Sequence, residues 1–120
     1  MNVLVVEPDH SIASSIVDSL QKAGHKVARA ASAQKAIQKA DATKPDIVVL
    51  ELALPIHNGI EFLYEFRSYV EWSLIPVIVF TTNYLLEPHL LTKLGVVKCL
   101  YKPNTSLQQL NTHVQSLVPA

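Results

Sequence analysis

Ile47-Val48-Val49-Leu50 is an unbroken apolar run closed by Glu51. A strand with one wet face alternates apolar and polar side chains. A continuous β-branched run fits a strand covered on both faces. Val3 to Val6 has the same character and ends in Glu7-Pro8-Asp9. Ile75 to Phe80, with Pro76 near its start, and Val96 to Tyr101 read as further strands, and His25 to Ala30 as a shorter one.

The segments between them change period. Residues 10–23 carry Ile12, Ile16, Val17 and Leu20 at helical spacing and stop at Gly24. Ser32 is placed to cap a helix over 33–42, with Ala33, Ala36, Ile37 and Ala40 turned inward. Residues 60–70 place Ile60, Leu63, Phe66 and Val70 on one face. A helix over 84–94 has Pro88 in its first turn and ends at Gly95. Leu107, Leu110, Val114 and Leu117 mark a last helix. Strict strand–helix alternation with such apolar strands predicts an α/β fold, a parallel sheet with helices on both faces.

Composition removes several function classes. Ten Lys and Arg balance ten Asp and Glu, so no broad basic face for nucleic acid is expected. The lone Cys99 excludes an internal disulfide and a cysteine-rich zinc site. The five histidines (His10, His25, His57, His89 and His113) show no metal spacing and read as surface or loop residues. No apolar run approaches the roughly 18 residues of a membrane span. Met1-Asn2 leads straight into a strand, which reads as core rather than signal peptide, so a cytoplasmic setting is the default expectation.

The polar residues gather at strand ends. Glu7 and Asp9 follow strand one, Glu51 strand three, Thr81 strand four and Lys102 strand five. In open α/β sheets the C-terminal edge is where ligands bind. Carboxylates there suit a hard cation such as Mg²⁺, a lysine suits an anion, and a threonine hydroxyl suits a phosphoryl-like oxygen. The plainer readings are a strand-end carboxylate at Glu7, an ion pair between Glu51 and Lys102, and local backbone bonding by Thr81.

VLVVEPD (residues 3–9), PDIVVLELALPIHNGIEFL (45–63), IPVIVFTT (75–82) and YKP (101–103) together resemble the receiver domain of bacterial response regulators, along essentially the whole chain. The resemblance implies a flavodoxin-like (βα)5 three-layer sandwich with sheet order 2-1-3-4-5, residues 1–120 forming one receiver domain. It implies a partner histidine kinase, or another signalling protein, and Mg²⁺-assisted phosphoryl transfer to the residue at the end of strand three. The change is read on the face of helix four, strand five and helix five, which is also a candidate homodimer surface. No nucleic-acid or membrane contact by this domain is implied.

The match is uneven. Glu51 stands where the family has its phosphoacceptor Asp, and Glu7 with Pro8 stand at the acidic metal-positioning pair. The metal donors implied are Glu7, Glu51 and the backbone carbonyl of Ala53, a weak Mg²⁺ site because Pro8 supplies no side-chain ligand. Thr81, Thr82 and Lys102 fill the pocket positions, Gly59 opens helix three, and the Lys102–Pro103 bond is a candidate for cis. Cys99 stands at the aromatic switch position and reads as a small buried hydrophobe. Tyr84, Leu90, Leu91 and Tyr101 are candidate interface residues within a leucine-rich stretch that also holds Leu85, Leu86 and Leu94. Glutamate reaches roughly 1–1.5 Å further than aspartate, and a 1 Å misplacement costs on the order of 100-fold. The expectation is an atypical receiver, impaired in or incapable of phosphotransfer, acting without enzymatic activity through protein contact. The alternatives are a conventional phosphorelay receiver using Glu51, and a flavin or small-molecule binding protein on the same topology. The loop after strand one lacks the Ser, Thr and Gly character a flavin phosphate requires.

Overall fold

The computed structural model describes residues 1–83 and 87–119. Strands β1 (Asn2–Val6), β2 (Lys26–Ala30), β3 (Ile47–Leu50), β4 (Val77–Thr81) and β5 (Val96–Tyr101) form one sheet in the order β2-β1-β3-β4-β5. Every pairing is parallel, with Val5 beside Arg29 on one side and Val49 on the other. Helices α1 (His10–Lys22), α2 (Ala33–Ala42), α3 (Gly59–Ser68), α4 (Pro88–Lys93) and α5 (Leu107–Gln115) connect or follow the strands. The arrangement is the flavodoxin-type α/β fold.

Alternate side chains of the strands feed two cores. Val3, Val5, Ile47, Val49, Ile78 and Phe80 meet Ile16, Leu20, Leu110 and Val114 of α1 and α5. Leu4, Val6, Val48, Leu50, Val77 and Val79 meet α2, α3 and α4, with Phe62, Phe66 and Trp72 among their partners. This double burial explains the unbroken apolar runs. Asp9, Ser32, Asn58 and Ser106 cap α1, α2, α3 and α5 through their side chains. The last two form reciprocal capping boxes with Glu61 and Gln109.

Several details depart from the sequence reading. β4 starts at Val77 because Pro76 has no N–H to donate to the ladder; its carbonyl still accepts from Val48 at 3.1 Å. α3 stops at Ser68, so Val70 leaves the helical face and stands 85% exposed, while Trp72 turns inward and stacks on Phe66 at 5.1 Å. His25 is buried rather than superficial, because the turn at Gly24 (φ +96°) folds it under the end of α1. Leu91 is 2% exposed and Leu94 7%, so both are core and not interface residues; Leu90 packs partly against the same core. Pro88 does open α4. Tyr84, Leu85 and Leu86 lie outside the described residues, and Tyr101 is half-buried. Cys99 is exposed on the edge strand β5, where no outer strand covers it, contrary to the buried reading; partial desolvation still raises its thiol pKa. No described peptide bond is cis, so the Lys102–Pro103 bond is trans. No described helix is long and apolar enough to cross a membrane.

Candidate functional site

The ladder carries the polar groups to one edge. The Glu7 N–H donates to the Ala30 carbonyl at 3.0 Å, and the Glu51 N–H to the Val6 carbonyl at 2.9 Å. Each glutamate thus extends its strand by one residue. Thr81 closes β4 opposite Tyr101, and Lys102 follows directly. The four side chains expected to meet do meet.

The Lys102 ammonium lies 2.5 Å from Glu7 Oε1 and 2.6 Å from Glu51 Oε1. The lysine side chain is 10% exposed, that of Glu7 3% and that of Glu51 4%. The Phe80 ring lies 5.8 Å beneath the ammonium and adds a weak attraction. Glu51 Oε1 also accepts from the Thr82 N–H at 3.3 Å. Its Oε2 accepts from the Thr81 hydroxyl and from the Ala53 N–H at 3.1 Å. A carboxylate offers about four acceptor positions, and here four donors take them. Glu7 Oε2 accepts from the Asp9 N–H at 3.1 Å.

Burial pushes the Glu51 pKa upward, but the Lys102, Thr81 and Ala53 hydrogen bonds and the Lys102 charge outweigh it, so the net shift is below the ordinary 4.5. A depressed carboxylate stabilises the fold fully above its unfolded value and loses that contribution as pH falls through the folded value. Stability is therefore expected to drop on acidification below about pH 4.5. Glu51→Gln should flatten this acid limb in denaturant titrations at successive pH values, with Glu7 and Lys102 still facing position 51.

The two carboxylates implied as metal donors are committed elsewhere. Glu7 and Glu51 both face the lysine, and Ala53 turns its N–H toward Glu51. Asp9 caps α1 by accepting from the Ile12 N–H at 2.9 Å. Among the described residues, no group of three or more His, Cys, Asp and Glu is arranged to hold a metal ion. One participant escaped the sequence reading. Half-buried Arg29 donates from Nε (3.0 Å) and Nη2 (2.8 Å) to the Glu7 carbonyl, and from Nη2 to the Pro8 carbonyl at 3.2 Å. The signal was a lone arginine one residue before the end of strand two.

The loop from 52 to 58 leads from this edge into α3. Gly59 is obligatory because a Cβ there would lie 2.7 Å from Leu52 Cα. Ile56 has φ +67° and is 93% exposed. A β-branched side chain in the left-handed region costs roughly 1–2 kcal/mol, and exposure returns no burial energy. Ile56→Gly is expected to raise stability by about 1 kcal/mol. Urea denaturation read by Trp72 fluorescence would show it, and an unchanged midpoint would contradict the strain.

Five parallel strands in this order, with two acidic groups, a threonine and a lysine on the C-terminal edge, define a receiver-like module. The chain belongs to the response regulator receiver domain family, which it matches over residues 3–115. It is 38% identical over 82 residues to the KDP operon transcriptional regulatory protein KdpE of Escherichia coli, covering 68% of this chain and 35% of that protein. It is 28% identical over 117 residues to the alkaline phosphatase synthesis transcriptional regulatory protein PhoP of Bacillus subtilis, covering 97% of this chain and 48% of that protein. Among solved structures it is similar to the chemotaxis protein CheY4 of Vibrio cholerae, with TM-score 0.89, 26% identity and 98% of both chains covered. The chain thus spans about a third to a half of the two transcriptional regulators. It is a receiver domain of two-component signalling, a class that works with histidine kinases and other signalling proteins.

Proposed function

We propose that this receiver signals through protein–protein contact with its pocket closed on itself, without phosphoryl transfer to Glu51. The observation that carries this reading is the saturation of the Glu51 carboxylate by four donors. A nucleophile needs a free lone pair aimed at the incoming phosphorus, and each oxygen here already holds two partners. Burial at 4% exposure and the extra methylene act in the same direction. Thr81 and Lys102, the groups suited to a phosphoryl oxygen, hold the Glu51 carboxylate instead. The pocket thereby carries its own anion, and the surface it supports stays in one setting. The exposed Val97, Lys98 and Cys99 of β5, flanked by α4 and α5, offer a face on which a kinase, an output partner or a second copy would read that setting. The domain then acts as a binding module rather than as an enzyme.

Intact-protein mass spectrometry after incubation with acetyl phosphate and Mg²⁺ tests this. No adduct of one phosphoryl group is expected on the wild-type chain. A near-stoichiometric adduct that disappears in Glu51→Gln would establish the conventional phosphorelay reading in its place.

A further inference from the structure

Binding of a divalent cation requires free oxygen donors and a net negative site. Here the two carboxylates converge on an ammonium, and the main-chain oxygens of the loop after β1 converge on a guanidinium. We infer that Lys102 and Arg29 are resident cations that occupy the role of Mg²⁺, so the pocket excludes divalent metal while both cations stay in place.

Glu7 Oε1 and Glu51 Oε1, the inner oxygens of both acids, each lie within 2.6 Å of the same Lys102 nitrogen. The outer oxygens are held by the Asp9 N–H, and by the Thr81 hydroxyl and Ala53 N–H. Pro8, which has no side-chain donor, gives its carbonyl to Arg29, and so does Glu7. Asp9 lies beside them and gives its Oδ1 to the Ile12 N–H in the first turn of α1. The charges of Glu7, Glu51, Lys102 and Arg29 sum to zero. A dication entering this set would meet two fixed positive charges, and the Glu7 and Glu51 carboxylates already hold Lys102. Removing the ammonium, by contrast, leaves two buried acids that already converge on one point, which is the minimum donor set for a hard metal completed by water.

This inference concerns metal alone and deepens the reading of a closed pocket; its test reads binding rather than phosphorylation. Mn²⁺ is the probe, followed by the loss of free-ion electron paramagnetic resonance signal. Wild-type protein is expected to leave the signal unchanged at millimolar Mn²⁺. Lys102→Met is expected to gain affinity by about tenfold or more as the repulsive charge goes, and Lys102→Met with Glu51→Gln to lose that gain. Mn²⁺ should also raise the melting temperature of Lys102→Met and not that of the wild type. If Lys102→Met does not fold, Arg29→Gln provides a second variant, expected to show weak Mn²⁺ binding where the wild type shows none. Glu51-dependent Mn²⁺ binding by the wild type would overturn the inference, as would a folded Lys102→Met that binds no metal. A phosphoryl adduct on Glu51 without Mn²⁺ binding would sink the closed-pocket reading and leave this one standing.

Discussion

Lys102→Met is expected to cost about 3–5 kcal/mol of stability at neutral pH. Methionine keeps most of the stem and deletes the ammonium, so the loss is electrostatic rather than a cavity. Glu7 and Glu51 are then left 3% and 4% exposed, facing each other with no cation between them. Breaking a buried pair by removing one partner is costly because the remaining charge stays desolvated. Here two charges remain and repel as well. For a domain of this size the change should lower the melting temperature by roughly 10–20 °C. Its pH dependence identifies the cause: protonation of either glutamate relieves the repulsion, so the deficit should shrink as pH falls. Glu7→Gln combined with Lys102→Met should recover part of the loss. A deficit below about 1 kcal/mol would place the pair in the class of solvated surface bridges.

Arg67→Ala is the second substitution with a large expected effect, about 2–4 kcal/mol. The Arg67 Nε donates to the Leu94 carbonyl at 2.7 Å and Nη1 to the Trp72 carbonyl at 2.7 Å. Nη2 donates to the Ile75 carbonyl at 2.6 Å and the Gly95 carbonyl at 3.3 Å. One planar fork therefore ties the end of α3 to the approaches of both β4 and β5. Burial lowers the guanidinium pKa but leaves it charged at any ordinary pH. The half-exposed setting keeps the loss below the sum of four charged hydrogen bonds. Arg67→Lys should restore only a minor share, since an ammonium lacks the rigid fork. Trp72 fluorescence in a urea titration reads the change directly, because the tryptophan carbonyl is one of the four acceptors. Gly95 belongs to the same device: its φ is +81°, and a Cβ there would lie 2.2 Å from Arg67 Nη2.

The sequence exposed what depends on local pattern. Apolar runs located the strands, helical spacing located the helices, and the positions of Glu7, Glu51, Thr81 and Lys102 at strand ends located the pocket. The resemblance supplied the strand order, which local pattern alone leaves open. The remaining features are set by groups far apart in the chain. Arg29 and Arg67 read as ordinary charged residues until their main-chain acceptors are brought beside them. The sequence points to a Glu51–Lys102 pair but reads Glu7 as a weak metal donor or a solvated strand-end carboxylate, whereas Glu7 is buried against that same lysine. Cys99 looked buried because its strand is apolar, but β5 is an edge. Val70 kept helical spacing past the point where the chain turns, and Trp72 took the apolar space instead.

The lysine that joins Glu7 to Glu51 is separated from Glu7 by 95 residues. Closing that contact requires the first and last strands to be already in place, so it forms late and contributes little to the barrier for folding. Its energy accordingly appears in the unfolding rate. A receiver held this way has its polar centre locked to whole-domain opening. Protection of the Glu51 amide from exchange, through its bond to the Val6 carbonyl, is expected to be lost only when the sheet comes apart.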